Sequence, residues 1–272
     1  MVTQAIIPLA GLGTRLLPLS SVIPKELLPI NGKPNLEYIM DECIEAGIKQ
    51  FIFVVPKNRP SIKKYFFNDN FYRKILKKKK NDKRIKNIFK RLKHFQKMIK
   101  FVYQNKPEGT GHAVLQCRKY LKGTHFLMLL ADDLIVKKNC SKEMISLHKK
   151  TNGSVIATRK VERKTVSRWG ILGFKKKTKN SFLINKVIEK PKLSEAPSNF
   201  AIIGRYILPK KILSVLSNQG RGKGGEIHIT DAIKTLVKRD EKFYGNIFKG
   251  KYIDCGTLDG FIKSGLTISK YL

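Results

Sequence analysis

The fold of this chain is decided by residues 5–15, which read Ala-Ile-Ile-Pro-Leu-Ala-Gly-Leu-Gly-Thr-Arg. The apolar run at its start predicts a buried strand, and a glycine-rich turn follows directly. Backbone N–H groups of such a turn can approach a ligand closely, and the guanidinium of Arg15 can pair with two phosphate oxygens at once. Lys25 follows ten residues later. Strand, turn and two cations together predict a triphosphate site.

The spacing of the glycines excludes two familiar nucleotide motifs. The turn lacks the Gly-Lys-Ser/Thr ending of a P-loop. The dinucleotide fingerprint GxGxxG needs a glycine at position 16, which is Leu16. The turn therefore predicts a phosphate site of another family.

Outward from this turn, short apolar runs alternate with a helical pattern. Further strands are predicted at 51–55, 99–103, 126–130 and 154–158. Between the first two strands, residues 34–46 place their apolar side chains on one helical face. Because strands that alternate with helices pair in parallel, this half predicts an α/β fold with a largely parallel sheet.

The second half of the chain has a different pattern. Residues 170–174 and 183–188 predict two antiparallel strands around a lysine-rich turn, and 201–208 predict another strand. Helices are predicted at 210–216 and 229–237, and a last one at 258–271. No linker-like stretch divides the sequence, so we expect residues 1–272 to form a single domain.

The composition excludes several classes of protein. Of 272 residues, 42% are hydrophobic, which is enough for a folded core. The four cysteines contain no CxxC pair, which argues against a disulfide framework or a zinc site. No apolar run reaches the length of a membrane span and no basic leader opens the sequence. We therefore expect a cytoplasmic protein rather than a secreted or membrane-spanning one.

The net charge of +36 has two interpretations. It is the electrostatic signature of a nucleic-acid-binding protein, and it is also what a compositional bias toward lysine leaves on a passive surface. The chain has 44 Lys and 12 Arg, whereas base and phosphate recognition favours Arg. The lysines are also spread along the whole sequence. We therefore favour the passive surface and expect no nucleic-acid partner.

Residues 77–100 are the most biased segment and predict one basic amphipathic helix. Two roles are open for it: a surface helix whose apolar stripe packs on the sheet or on a partner subunit, or a helix that binds RNA or lipid. We favour the first. The stripe consists of Ile85, Ile88, Phe89, Leu92, Phe95 and Ile99.

Three segments resemble the signature of the sugar-phosphate nucleotidyltransferases, in the form typical of the uridylyltransferases among them. They are residues 10–15, Ile-Pro-Lys-Glu-Leu-Leu-Pro at 23–29 and Gly-Lys-Pro at 32–34. The resemblance continues along nearly the whole chain. The further matching segments are Gln104 with 109–114, 130–134, 169–170, 187–192, 196–205, 225–231 and 253–256.

This resemblance implies a three-layer αβα nucleotidyltransferase fold with a mixed, mostly parallel central sheet. It implies a nucleotide-binding half at 1–135 and a sugar-phosphate-binding half at 136–272, which ends in a helix. The implied reaction joins UTP and glucose 1-phosphate into UDP-glucose and pyrophosphate. In it, the sugar phosphate attacks the α-phosphate of UTP in line, with Mg²⁺ as cofactor. A homodimer or homotetramer is implied as well.

The resemblance also implies the roles of individual residues. Asp132 and Asp254 are the implied Mg²⁺ ligands. Arg15 and Lys25 would hold the β- and γ-phosphates, and Lys190 would bridge the α-phosphate and the sugar phosphate. The implied nucleotide-binding residues are Leu9, Ala10, Gly11, Gly13, Thr14, Glu26, Gln104 and Gly109. The implied sugar-binding residues are Gly170, Glu189 and Asn199.

Some positions depart from the family pattern and keep alternatives open. Leu19-Ser20-Ser21 stand where a lysine-containing stretch is usual, Glu108 replaces a common Lys, and Trp169 replaces Tyr. Ala131 and Thr257-Leu258 also depart from it. Two other functions therefore remain: a thymidylyltransferase that uses dTTP, and an RNA-binding protein on an inactive enzyme scaffold.

Overall fold

The computed structural model describes residues 1–270, with the backbone alone at Lys223. The strands are β1 (Gln4–Pro8), β2 (Pro29–Ile30), β3 (Lys33–Pro34), β4 (Gln50–Val55), β5 (Ile99–Tyr103), β6 (His125–Leu129), β7 (Asp133–Val136), β8 (Ser154–Lys160), β9 (Gly170–Lys177), β10 (Ser181–Glu189), β11 (Phe200–Pro209), β12 (Phe243–Ile247) and β13 (Lys251–Asp254). The α-helices are α1 (Asn35–Glu45), α2 (Ser61–Phe66), α3 (Asp69–Lys78), α4 (Lys83–Met98), α5 (Thr110–Gln116), α6 (Cys140–Thr151), α7 (Ile212–Ser217), α8 (Ile229–Lys238) and α9 (Leu258–Ser269).

Nine of these strands form one mixed sheet in the order β5-β4-β1-β6-β11-β8-β12-β10-β9. The first four strands pair in parallel, as expected. Beyond β6 the pairing is antiparallel except between β8 and β12. The mixed sheet is confirmed, but parallel pairing predominates only in its first half. In the second half β11 runs antiparallel to β6, β8 and β9, and the short turn between β9 and β10 permits only antiparallel pairing of those two strands.

Helices cover both faces of this sheet and make three layers. Alternate residues of each strand point to opposite faces: in β1, Ala5 and Ile7 pack with α1, α2, α4 and α6, while Ile6 packs with α5, α7 and α8. Helix α1 has the predicted apolar face, since Leu36, Ile39, Met40 and Cys43 are fully buried. The three-layer αβα fold is confirmed.

The segment 77–100 is not one helix. Its first two residues end α3, residues 79–82 form a break, and Ile99 already belongs to β5. Asn81 and Asp82 favour caps and turns over helix interiors, and Asp82 caps α4 by accepting a hydrogen bond from the N–H of Ile85 (3.0 Å). Leu92 and Phe95 are buried in the core of the chain itself. The stripe therefore packs partly on this chain, as the favoured interpretation expects.

Two small sheets complete the fold, and one of them shapes the site. Strand β7 leaves the end of β6 and pairs antiparallel with β13, which sets Asp133 opposite Asp254. The other small sheet joins β2 and β3. Helix α9 follows β13 and ends at Ser269; Tyr271, the last residue of the predicted helix, lies outside the described residues. Within residues 1–270, no helix has both the length and the apolar character that crossing a membrane requires.

Candidate active site

The candidate catalytic side chains meet at the carboxyl ends of β1 and β6. These strands are parallel neighbours, so the glycine loop after β1 and residues 130–133 after β6 lie at the same edge of the sheet. The pairing of β7 with β13 brings Asp254 to this edge from far along the chain. Residues from four separate parts of the sequence thus surround one point.

Asp132 is the centre of a cluster of charges. Lys25 Nζ lies 2.6 Å from Asp132 Oδ2, and Arg15 Nη2 lies 3.5 Å from the same oxygen. Burial alone would raise the pKa of Asp132, but the charge of Lys25 and its hydrogen bond outweigh burial and leave that pKa below its ordinary value. Burial alone would lower the pKa of Lys25, but the negative charges of Asp132 and Glu26 outweigh burial and leave that pKa above its ordinary value. Both groups are therefore charged at neutral pH.

Asp254 faces the same point, and Gly256 makes room for both carboxylates. Asp254 Oδ1 accepts a hydrogen bond from the N–H of Gly256 (2.9 Å). A Cβ at position 256 would lie 2.7 Å from Asp132 Oδ2 and 3.2 Å from Asp254 Oδ1. Only glycine allows this close approach, and the distances show that the two carboxylates converge.

Asp133 has a different environment from its neighbour. Its Oδ1 accepts a hydrogen bond from the Tyr252 hydroxyl (2.6 Å), and its Oδ2 accepts one from the N–H of Gly204 (3.1 Å). Burial and the adjacent Asp132 raise the pKa of Asp133 to about 6. Asp133 is therefore held by the protein, which leaves Asp132 as the carboxylate paired with the cations.

The carboxylates suit a hard divalent cation that is completed by its substrate. Among residues 1–270 there is no cluster of three or more His, Cys, Asp or Glu side chains that could hold a metal alone. Mg²⁺ typically takes one or two protein carboxylates and fills its remaining positions with water and phosphate oxygens. Two cationic side chains already contact Asp132 Oδ2, so this oxygen lies where positive charge is stabilised. The residues present fit such a metal.

A first cavity, of about 490 Å³, lies on one side of Asp132. Its walls include the glycine loop, Lys25 and the start of α5, and its lining residues are Pro8, Ala10, Gly11, Leu12, Gly13, Thr14, Lys25, Glu26, Gln104, Pro107, Gly109, Thr110, Ala113, Leu130, Asp132 and Glu226. Gly13 has a φ of +67°, which favours glycine, and its carbonyl accepts a hydrogen bond from Ser20 Oγ (2.8 Å). Ser20 thus fixes the loop.

Two of the side chains that line the first cavity are buried and polar. Glu26 is 2% exposed and Gln104 is 4% exposed. Burial raises the pKa of Glu26 to about 7, although Lys25 opposes the shift. Gln104 Nε2 lies 2.9 Å from His112 Nδ1, so His112 orients the amide. The carboxyl and the amide together offer donors and acceptors to a planar polar ring.

A second cavity, of about 630 Å³, lies on the other side of Asp132 and shares Thr14, Leu130, Asp132 and Glu226 with the first. In it, Glu189 Oε2 accepts a hydrogen bond from Thr230 Oγ1 (2.8 Å), and Lys190 Nζ lies 3.9 Å from Glu189 Oε1. The other lining residues are Arg15, Asp133, Arg168, Trp169, Gly170, Ile202, Gly204, Tyr206, Tyr252 and Asp254. The second cavity is therefore rich in charged side chains.

Most residues that the sequence singles out line one of these cavities, and two do not. Leu9 is 3% exposed and its N–H donates to the carbonyl of Val54 (2.7 Å). Asn199 Nδ2 donates to the carbonyl of Val161 (2.9 Å). Their substrate-binding roles stay predictions, as do the other assigned roles.

Sequence reasoning did not assign roles to several residues that line the cavities. Thr230 lies within the matching segment 225–231 and Tyr252 directly precedes another, so both had a signal. For Arg168 the only signal in the sequence was its position beside Trp169. For Tyr206 it was the position directly after Arg205.

The chain matches known proteins along nearly its whole length. Residues 4–270 match the model of the nucleotidyl transferase family. A UTP–glucose-1-phosphate uridylyltransferase of Staphylococcus saprophyticus is 38% identical over 97% of this chain and 90% of its own.

Solved structures agree with this sequence match. A UDP-glucose pyrophosphorylase complexed with UDP-glucose has a TM-score of 0.86 and 35% identity, and the match covers 100% of both chains. A UTP-bound UGPase from Acinetobacter baumannii has a TM-score of 0.88 and 32% identity over 98% of this chain and 93% of its own. The chain belongs to the nucleotidyl transferase family, and the relatives that it resembles from end to end are uridylyltransferases of glucose 1-phosphate.

Proposed function

We propose that this chain is a UTP–glucose-1-phosphate uridylyltransferase, which forms UDP-glucose and pyrophosphate. The observation that carries the proposal is the position of Asp132 between two cavities, with Lys25 and Arg15 on one of its oxygens. A reaction between two phosphorylated substrates needs such a junction. The names of the end-to-end relatives supply the identity of the substrates.

In the proposed arrangement, UTP takes the first cavity. The uracil lies against Glu26 and Gln104, and backbone groups of Ala10, Gly11 and Gly109 complete its contacts. The triphosphate follows the glycine loop toward Arg15 and Lys25. The first cavity fits this role because its buried polar side chains suit a planar base and because Lys25, in its lining, supplies a cation for the phosphates.

Glucose 1-phosphate takes the second cavity. Glu189 and Gly170 contact the sugar hydroxyls, with Asn199 proposed nearby on the strength of the resemblance. Lys190 contacts the sugar phosphate, whose oxygen attacks the α-phosphorus of UTP in line as the bond to pyrophosphate breaks. Catalysis therefore consists of positioning and charge stabilisation, and the chain needs no nucleophile or general base of its own.

The nucleotidyltransferase family generally uses a divalent metal, and we propose Mg²⁺ for this chain. Asp132 and Asp254 would hold it. When bound, the metal neutralises charge on the phosphates and helps to align them. Lys25 and Arg15 would then contact the β- and γ-phosphates and stabilise the pyrophosphate as it leaves.

The two halves of the chain would divide the substrates, with 1–135 for the nucleotide and 136–272 for the sugar phosphate. Glu226 crosses this division because it lines the first cavity too. The thymidylyltransferase alternative keeps the same chemistry and changes only the base. The RNA-binding alternative has less support, because the charged groups needed for transfer are assembled at one site.

A homo-oligomer in the cytoplasm completes the proposal. Three apolar side chains of α9 are exposed at helical spacing, namely Leu258, Ile262 and Leu266 at 59%, 58% and 68%. This face supports a subunit contact better than the stripe of α4 does, since Leu92 and Phe95 are buried within the chain. Sedimentation of Ile262→Lys beside the unaltered protein tests the oligomer: a smaller species supports it.

The cysteines are free and buried, which fits a reducing compartment.

Pyrophosphate release from UTP and glucose 1-phosphate with Mg²⁺ tests the reaction. We expect release only when both substrates are present, and loss of release in Asp132→Asn. Asp240→Asn is the matched control, because Asp240 is exposed and lines neither cavity. Release with dTTP but not UTP would move the specificity to the thymidylyl alternative. No release with either nucleotide would contradict the proposed function.

A further inference from the structure

The loop that carries Asp132 is anchored through its backbone at every residue. Residues 130–133 present four consecutive carbonyl oxygens, and each accepts a hydrogen bond from one of three residues that are distant in the chain. The donors are, in chain order, Arg205 Nη1 (3.2 Å), Asn35 Nδ2 (2.7 Å), Cys255 N (2.8 Å) and Arg205 Nη2 (2.6 Å). Such a loop cannot shift without breaking several of these bonds.

Arg205 supplies two of the four anchors and lies beneath the loop with no exposed surface. A guanidinium has five N–H groups, and here all five have acceptors. Nε and one N–H of Nη2 bind Glu42, at 3.2 and 2.9 Å from Oε2. The other N–H of Nη2 binds the carbonyl of Asp133, and Nη1 binds the carbonyls of Leu130 and Gly204, the latter at 3.0 Å. A lysine has three donors and no planar fork, so it cannot replace this set.

Glu42 in turn connects Arg205 to two helices behind the sheet. It lies on α1, and its Oε1 accepts hydrogen bonds from Ser141 Oγ (2.6 Å) and Ser141 N (3.1 Å) at the start of α6. The carboxylate therefore has a fixed position, and it fixes the direction of the guanidinium.

Stability alone does not require a charged pair at this place. Burying two charges carries a large desolvation cost, and well-packed apolar side chains of similar volume often stabilise a fold as well or better. An apolar pair, however, would leave the carbonyls of Leu130 and Asp133 without these donors. The bonds to the loop are what an apolar pair cannot supply.

We propose that Arg205, held in place by Glu42, is a positioning residue that fixes the orientation of the Asp132 carboxylate. This inference rests on the proposed function, in which Asp132 holds the divalent metal. Arg205 lines neither cavity and contacts no substrate in this arrangement. Its effect on the reaction passes through the backbone of residues 130–133.

The test separates positioning from stability with a double variant, Glu42→Met with Arg205→Met. Because no charge is left unpaired, we expect the double variant to fold, with its thermal midpoint lowered only by the loss of the donors to the carbonyls of Leu130 and Asp133. We expect kcat to fall about 100-fold, the effect of misplacing a reacting group by about an ångström, with the KM for UTP unchanged. The matched control is Glu37→Met with Arg91→Met, which removes another ion pair of α1 that does not contact the loop. The control should keep its kcat.

A second readout does not depend on activity. Amide hydrogen exchange of the peptide that contains residues 130–134 should accelerate in the double variant, while exchange in the core strand β1 stays unchanged. If the unaltered protein released no pyrophosphate, the proposed function would fail, yet the exchange experiment would still test whether Arg205 orders the loop. A double variant with unaltered kcat and unaltered exchange would overturn the proposal.

A second, milder variant covers the case in which the double variant does not fold. Asn35→Leu removes the donor to the carbonyl of Ala131 and keeps a side chain of similar size. We expect a smaller loss of kcat, about tenfold, and faster exchange of the same peptide. If kcat and exchange were both unchanged in this variant, the idea that the anchored loop fixes the position of Asp132 would also be contradicted.

Discussion

The two cavities beside Asp132 are built in contrasting ways. The first is formed by loops at the ends of parallel strands, with backbone groups and two almost fully buried polar side chains, Glu26 and Gln104. The second is rich in charged side chains from loops and strand ends, and Arg15 and Lys190 there keep side-chain exposures of 58% and 46%. In the proposed arrangement, shape therefore selects the base and charge holds the sugar phosphate.

The largest effect is expected where the two cavities meet. Lys25→Met should lower kcat about 100- to 1000-fold, since it removes a fixed cation from the site where negative charge develops. Arg15→Met should lower kcat less, because Arg15 is more exposed and farther from Asp132 Oδ2. Initial rates of pyrophosphate release at saturating substrates measure both. Equal losses in the two variants would contradict this ranking.

The next effect should separate the cavities from each other. In the proposed arrangement Glu189 contacts the sugar, so for Glu189→Gln we expect the KM for glucose 1-phosphate to rise about tenfold while the KM for UTP stays the same. Thr230→Val removes the hydroxyl that donates to Glu189 and should reproduce part of the increase. If either variant raised the KM for UTP equally, the assignment of the second cavity to the sugar would be wrong.

The same contrast explains how much could be predicted from sequence. The glycine loop, Lys25 and Glu26 are close together in the chain, so their spacing alone places them at one strand end. Glu189 and Thr230 meet only through the pairing of distant strands and the docking of α8, which no local pattern encodes.

The break between α3 and α4 shows a similar limit. The apolar periodicity of residues 77–100 predicts one helix, but the cap formed by Asp82 decides where the second helix begins. The buried Arg205 also lay beyond sequence reasoning, since an arginine in a strand is ordinarily expected on the surface.

A smaller effect should reveal the buried wall of the first cavity. With a pKa of about 7, Glu26 is protonated at pH 6 and can donate a hydrogen bond to a uracil oxygen, whereas at pH 8 it is an anion and cannot. We expect the KM for UTP to rise about fivefold over this range, the effect of roughly 1 kcal/mol. In Glu26→Gln, which keeps a donor at every pH, the KM should not depend on pH. A pH dependence that survives in this variant would assign it to another group.

The smallest effect lies at the opposite edge of the sheet, where β6 begins, and it tests stability rather than turnover. Burial, reinforced by the charge of His148 and other nearby cations, lowers the pKa of His125 to about 4; the two imidazole rings lie 4.6 Å apart. The unfolded chain, with an ordinary histidine pKa near 6.5, binds the proton first as the pH falls. Neutral His125 therefore makes its full contribution to the free energy of unfolding above about pH 6.5, and this contribution is lost as the pH falls toward 4.

Because His125 is only half-buried, solvent screening reduces this contribution to about 1–2 kcal/mol. Urea unfolding of the unaltered protein and of His125→Asn, at pH 7 and pH 5, measures it. The variant should lose less stability than the unaltered protein between these pH values, and the exposed His94→Asn should match the unaltered protein. Since this edge is far from both cavities in the fold, turnover at pH 7 should not change. If His125→Asn lost turnover at pH 7, this would show that the two edges of the sheet are coupled.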